Sequence, residues 1–180
     1  MNGKRRLLGS FNHGSMANTL AQSIGAKVTF PQRQVVDLCR DGGFTMLMGD
    51  LITLSQKNLP FKVVIFNNGA QDFVELEMKS VGFLNYGTDL KHPNFAAMAN
   101  AIGIYAKRVS NPADLKGAFE DVFSHPGPAL LDVVTNRFEL AIPPEINASK
   151  VKGFSLYVLK SLIDGCGEDI LEVTTTNLWR

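Results

Sequence analysis

Apolar residues along this chain fall into two alternating textures, short β-branched runs and longer stretches at helical spacing. Residues 34–39, 61–66, 104–109 and 128–134 are runs of strand length bounded by turn residues, and each predicts a strand. Between them, residues 15–24 predict a helix with Ser15 as its cap and Gly25 as its stop. Residues 44–58 predict a second helix, in which Met46, Leu47, Leu51 and Leu54 recur at helical spacing, and residues 93–102 a third. A fourth starts at Asn111-Pro112-Ala113-Asp114, with the proline in its first turn.

Strands that are near-continuously apolar and separated by helices belong to parallel sheets covered on both faces. The expected class is α/β, a doubly wound, mostly parallel sheet with helices on both faces. Ala141-Ile142-Pro143-Pro144 ends that region, residues 149–163 predict an amphipathic helix, and Gly165-Cys166-Gly167 sets off a last segment, 168–180. The expected division is a domain over residues 1–140 and a helical extension and tail over 141–180.

Composition narrows the classes further. With 180 residues, 45% of them hydrophobic and 19% charged, the chain has the material for a packed core and is not a disordered polyelectrolyte. Eighteen basic against seventeen acidic side chains leave a net charge of +1, so no basic footprint for nucleic acid is expected. Two cysteines, Cys39 and Cys166, are too few for a disulfide framework, which points to a reducing, cytoplasmic setting. The most apolar run, residues 61–66, is far shorter than the roughly 20 residues a spanning helix needs.

Candidate chemistry sits in three loops: residues 9–16, Asp41-Gly42-Gly43, and Asn67-Asn68-Gly69-Ala70. In an open parallel sheet, ligands bind beyond the carboxyl ends of the strands, where the second and third of these loops are expected. Glycines there let backbone approach a ligand, and helix N-termini offer N–H groups to phosphate oxygens. One carboxylate, Asp41, and one amide oxygen, from Asn67 or Asn68, suit an octahedral Mg²⁺ whose other positions a ligand's phosphates can fill. The combination points to a diphosphate held through Mg²⁺. His13, His92 and His125 have no partner at metal-ligand spacing and are expected to be loop and turn residues.

Arg40-Asp41-Gly42, followed after 24 residues by Asn67-Asn68, resembles the GDG…NN motif of thiamine diphosphate enzymes. The segments GSFNHGSMAN, DGGFTMLMGD, VVIFNN, ELAIPPEI, KGFSLYVLK and the terminal NLWR extend the likeness over the whole chain, and resemble the quinone-linked pyruvate oxidase family. The resemblance implies a diphosphate-binding domain using thiamine diphosphate and Mg²⁺, with FAD in the full-length enzyme. It implies Mg²⁺ ligands at Asp41, Asn68 and the Ala70 carbonyl, and thiamine contacts from Gly14, Ser15 and Met16, with Met16 beneath the bent cofactor. Gly42, Gly43, Asn68, Gly69, Ala70, Gln71 and Asp72 would meet the diphosphate. Phe73 would face the reacting centre, with Glu77 one helical turn on. The family's first motif glycine is Arg40 here.

The implied reaction is oxidative decarboxylation of pyruvate to acetate and CO₂, with electrons passing to membrane ubiquinone. The implied assembly is a homotetramer, peripheral at the inner face of the cell membrane, touching lipid through the tail. In that tail Ile170, Leu171, Val173 and Leu178 are expected to share an apolar side, with Trp179 as an interface anchor. Two further readings are a domain of acetolactate synthase or of an oxygen-linked pyruvate oxidase, and a non-catalytic remnant that binds only cofactor or partner subunits. Because the family carries two other domains and Met1 falls partway into this one, an opening strand-helix unit is expected to be missing. The isolated chain is accordingly expected not to turn over pyruvate.

Overall fold

The computed structural model describes residues 5–139 and 147–178, so the anticipated boundary at 140/141, the 141–144 segment, Trp179 and Arg180 lie outside the described residues. The described residues cluster into two interleaved compact units, one drawn from Met1–Asn67 with Lys91–Thr135, the other from Asn68–Leu90 with Asn136–Arg180.

The first unit is built on a four-stranded parallel sheet, β1 (Val36–Arg40), β2 (Lys62–Asn67), β3 (Tyr105–Val109) and β4 (Ala129–Val134), in the order β1-β2-β4-β3. Its helices are α1 (Thr19–Thr29), α2 (Asp41–Leu47), α3 (Leu51–Lys57), α5 (Phe95–Ala101) and α6 (Leu115–Ser124). Strand side chains alternate between faces, and the two faces carry separate cores. Cys39, Val63, Ile65, Ala106 and Leu130 pack with Leu20, Phe44, Leu51, Leu54 and Phe95 from α1, α2, α3 and α5. On the opposite face Val64, Val109, Ala129 and Leu131 pack with Ala118 and Val122 from α6. The expected doubly wound sheet, covered on both sides, is therefore the observed one. β1 departs from a fully buried strand: Asp37 and Cys39 are buried while Val36 and Leu38 are exposed.

Several element boundaries move. Helix α1 runs through Gly25 to Thr29, because one glycine costs only about 1 kcal/mol in a helix interior and Leu20 and Lys27 bury on the same side. The single helix expected over 44–58 is α2, a 3₁₀ turn Met48–Asp50, and α3. Its start moves back to Asp41, whose carboxylate sits in the first turn, where the helix dipole favours negative charge. At the other end of this layer, α5 closes on Gly103 at φ +81°, with Gly103 N–H donating to Asn100 O and Ile104 N–H to Ala99 O. That left-handed cap turns the chain directly into β3.

The second unit packs α4 (Asp72–Ser80) against α7 (Ala148–Ile163), and α7 against α8 (Gly167–Asn177). α4 ends in the same left-handed cap, at Gly82 with φ +84°, and Gly82 O accepts from Lys160 Nζ of α7. α7 crosses α4 at Gly153, where a Cβ would lie 2.0 Å from the Ser80 carbonyl oxygen. α8 forms despite Thr174, Thr175 and Thr176; the hydroxyls of Thr174 and Thr175 bond back to the carbonyls of Ile170 and Leu171, one turn earlier. The expected shared apolar side of the tail is split, for Val173 is buried whereas Leu171 and Leu178 are exposed. Among the described residues no helix is long and apolar enough to cross a membrane.

Candidate functional site

In the first unit, the loop before α1 and the start of α2 are brought into contact. Gly14 turns the chain at φ +57°, its N–H donating to Ser10 O, and Ser15 and Met16 are exposed. The backbone of Met16 then abuts Gly43, where a Cβ would come within 2.7 Å of the Met16 carbonyl oxygen. Only glycine permits that approach, so two residues implicated in cofactor binding are juxtaposed for a steric reason.

Arg40 precedes α2 with φ −92° and ψ 158°, an extended backbone that any residue adopts. The turn therefore does not demand the glycine that the motif carries at this position. Asp41 follows with 1% exposure. Its Oδ1 accepts from Gly42 N–H at 2.8 Å, and its Oδ2 lies 3.1 Å from Nε2 of His92. His92 is seated by Phe95, 5.1 Å away between ring centroids, and Phe95 meets Phe44 edge-on at 5.2 Å. The expectation that His92 is only a turn residue is thereby corrected: it orients the Asp41 carboxylate. Fifty-one positions separate the pair, so no local spacing could reveal it.

His125 does prove structural, its Nδ1 accepting from Gly127 N–H and its ring stacked on Tyr105. His13 is exposed. The Cys39 thiol is an inert core group, since burial, with the Asp37 and Asp41 carboxylates adding to it, pushes its pKa well up.

The two asparagines have different tasks. Asn67, the last residue of β2, donates from Nδ2 to Oδ1 of fully buried Asp132 at 2.9 Å, and Arg108 holds the other Asp132 oxygen at 2.9 Å. Asn67 is thus spent within the first unit. Asn68 opens the second unit; its Oδ1 accepts from Ala70 N–H at 3.2 Å, while its buried Nδ2 has no hydrogen-bond partner. A buried amide donor without an acceptor costs about 1–3 kcal/mol and marks a place where an acceptor belongs, such as a phosphate oxygen. This supports Asn68 over Asn67 as the ligand-binding member of the pair.

Gly69 follows at φ +69°, a left-handed position suited to glycine. Leu90 N–H donates to Gly69 O and Gln71 N–H to Thr88 O, a short antiparallel bridge that flanks Ala70 and leaves its carbonyl outside both bonds. Gln71 caps α4, and Asp72 is buried in its first turn. Phe73 and Glu77 lie on the exposed side of α4, Phe73 with 61% exposure. The buried side is Asp72, Glu75 and Lys79, and Glu75 is a residue that the sequence reading missed.

Among the described residues no group of three or more His, Cys, Asp and Glu could hold a metal ion. Within the second unit, the Asn68 amide and the Ala70 carbonyl are oxygen donors of the kind Mg²⁺ takes rather than zinc. The orphaned Asn68 donor fits a phosphate oxygen as its acceptor.

Comparison with known proteins agrees with this chemistry. The family described as "Thiamine pyrophosphate enzyme, C-terminal TPP binding domain" matches residues 1–133. The putative thiamine pyrophosphate-containing protein YdaP of Bacillus subtilis is 33% identical over 164 residues, covering 91% of this chain and 28% of that protein. The mitochondrial acetolactate synthase catalytic subunit of Aspergillus candidus is 34% identical over 140 residues, 77% of this chain and 20% of that protein. The chloroplastic acetolactate synthase of Arabidopsis thaliana is 36% identical over 148 residues, 77% of this chain and 22% of that protein. The chain therefore spans less than a third of the length of these curated relatives.

Proposed function

Because the chain belongs to the thiamine pyrophosphate enzyme family, through its C-terminal TPP-binding domain, we propose that it is the diphosphate-binding part of an enzyme that decarboxylates pyruvate. Bound thiamine diphosphate supplies an electron sink for the carbon that loses CO₂. The residues of this chain bind and orient it. Asp41, held by His92, is the proposed carboxylate ligand of Mg²⁺, and Asn68 and the Ala70 carbonyl are the proposed neutral ones. The orphaned Asn68 amide donates to the diphosphate, beside Gly42, Gly43, Gly69, Gln71 and Asp72. Gly14, Ser15 and Met16 carry the thiamine, and Phe73 with Glu77 faces the reacting centre.

The observation that carries this reading is the buried Asn68 Nδ2 without an acceptor. Calorimetric titration of the chain with thiamine diphosphate and Mg²⁺ tests it. Saturable binding that requires both ligands and is lost in Asp41→Asn supports the site, and no binding by the unaltered chain removes it.

Within this reading, oxidation of pyruvate to acetate with FAD as carrier and ubiquinone as acceptor is the proposed reaction. Support comes from the likeness of the segments ELAIPPEI, KGFSLYVLK and NLWR, beyond residue 133, to the quinone-linked pyruvate oxidase family. Lipid contact through α8, a homotetramer and a peripheral position at the inner membrane face belong to the same proposal. The second reading is acetolactate synthesis, favoured by the names of several relatives. In an assembly containing the remaining domains, acetate with reduced quinone indicates the first and acetolactate the second. The 180-residue chain alone is proposed to form neither.

A further inference from the structure

Glu75 is a charged residue with 1% exposure in the middle of α4. Burying a carboxylate is costly unless its oxygens are engaged, and here both are. Oε1 accepts from Thr88 Oγ1 at 2.9 Å and from Arg137 Nη2 at 2.5 Å, and Oε2 faces Lys79 Nζ at 3.2 Å. The same Arg137 nitrogen reaches Asp89 Oδ1 at 2.5 Å. Burial opposes the charge on Arg137, and its hydrogen bonds to Asp89 and Glu75 more than offset that, so its pKa is raised.

This cluster does more than fasten α4. Two of its members, Thr88 and Asp89, belong to the strip that pairs with the Asn68–Gln71 loop. Thr88 O receives the Gln71 N–H at 2.8 Å, Asp89 sits opposite Ala70 in the bridge, and Leu90 N–H closes onto Gly69 O at 2.9 Å. Thr88 itself is 2% exposed, so its hydroxyl has no solvent to turn to. The loop contains a left-handed glycine, and two of its backbone groups, Gly69 O and Gln71 N–H, are held by the 88–90 strip. Its shape is accordingly set from outside, by the 88–90 strip, and that strip is set by Glu75 and Arg137.

We propose that Glu75, acting through Thr88 and through Arg137 with Asp89, is a positioning residue that fixes the Asn68–Gln71 backbone in the shape presenting the Asn68 amide and the Ala70 carbonyl to a divalent cation. This rests on the cofactor reading above. Groups that orient metal ligands from behind typically change metal affinity by about 10–100-fold when altered. Lys79 shares the Glu75 carboxylate but touches no part of the strip; its ammonium lies 5.7 Å from the Tyr157 ring centre instead. It is the natural control.

The test uses the chain with Glu75→Gln, Thr88→Val and Lys79→Met. Thr88→Val keeps shape and volume and removes one hydroxyl, so it remains informative should Glu75→Gln fail to fold. Two quantities are measured: the Mg²⁺ concentration for half-saturation at excess thiamine diphosphate, and amide exchange over residues 68–72 without ligand. The expected result is a rise of about tenfold or more in half-saturating Mg²⁺ for Glu75→Gln and Thr88→Val, with faster exchange confined to residues 68–72 and 88–90. Lys79→Met should leave both quantities near those of the unaltered chain. Unchanged Mg²⁺ dependence in Thr88→Val, or an equal loss in Lys79→Met, overturns the inference while leaving the cofactor reading intact. Absence of binding by the unaltered chain overturns the reading, and this inference with it.

Discussion

Asp37→Asn should stabilise the sheet-bearing unit above pH 6 and leave its stability nearly unchanged below pH 4. Asp37 lies in β1 with 2% exposure, on the face packed by α1, and neither carboxyl oxygen has a partner within hydrogen-bond geometry. Burial pushes its pKa from the ordinary 3.8 to about 6, the nearby Thr19 hydroxyl opposing that shift in smaller part without meeting hydrogen-bond limits. Because the folded pKa lies above the unfolded one, the carboxyl group favours folding most below pH 3.8. That contribution is lost as pH rises toward 6, and beyond that the cost of keeping a buried carboxylate is constant. A shift of about 2 pH units, at about 1.4 kcal/mol each, makes the loss about 3 kcal/mol.

Asparagine has the same shape and does not ionise, so the variant escapes this loss. Urea unfolding of both proteins from pH 4 to pH 8 is the assay. The expected stability difference starts near zero, grows between pH 4 and 6, and levels off near 3 kcal/mol in favour of the variant. A chain of this size gains about 2–4 °C in melting temperature per kcal/mol, so thermal melts at pH 7.5 should differ by about 6–12 °C. A difference that does not change with pH refutes the reasoning, because it traces to packing rather than ionisation. A variant less stable than the parent at pH 7.5 refutes it as well, since the carboxylate then has a donor that the geometry does not show.

Gly153→Ala should separate α7 from α4, since the added methyl meets the Ser80 carbonyl at 2.0 Å; a loss of about 1–3 kcal/mol and faster proteolysis after residue 136 are expected. Gly43→Ala drives a methyl to 2.7 Å from the Met16 carbonyl and should weaken thiamine diphosphate binding in calorimetry while leaving far-ultraviolet circular dichroism unchanged. Asn67→Ala should cost about 1–3 kcal/mol in chemical unfolding, because buried Asp132 loses a donor. Asn68→Ala removes an unpartnered donor but also the acceptor of Ala70 N–H, so stability should change by no more than about 1 kcal/mol while cofactor binding is abolished. Thiol titration in the folded state should count one fast group, exposed Cys166, with Cys39 reacting only on unfolding.

The strands were legible because each is a short, predominantly apolar run with turn residues at its ends, and the sheet class followed from their spacing. Helix ends were less so. At Asp41-Gly42-Gly43 the sequence has the composition of a turn, yet the chain is already helical, because a buried aspartate in the first turn and the close approach to Met16 hold glycines in a conformation they do not intrinsically prefer. At Gly25 the sequence shows a stop, yet Lys27 continues the helix by donating to Pro31 O and Arg33 O beyond its end. Contacts of this kind join residues distant along the chain or lie past the window in which periodicity is read. The same holds for His92 on Asp41 and for Arg137 on Glu75, pairs joined across 51 and 62 positions.

The Asn67-Asn68 pair shows why a motif can be legible while the division of work inside it is not. In a strand, neighbouring residues point to opposite faces, so consecutive asparagines at a strand end cannot share an environment. Asn67 has the parity of Val63 and Ile65 and pairs in register beside β4, whose Asp132 has the parity of Leu130. A buried aspartate there needs donors, and Asn67 and Arg108 supply them from the two flanking strands. Asn68 is the first residue past β2, free of the ladder, and the left-handed Gly69 after it folds the chain so that the Asn68 side-chain Oδ1 accepts from Ala70 N–H. That leaves the amide nitrogen buried and unanswered. From sequence the two residues are interchangeable oxygen donors. Strand parity and one glycine make the first a strut of the sheet and the second a buried donor open to an acceptor.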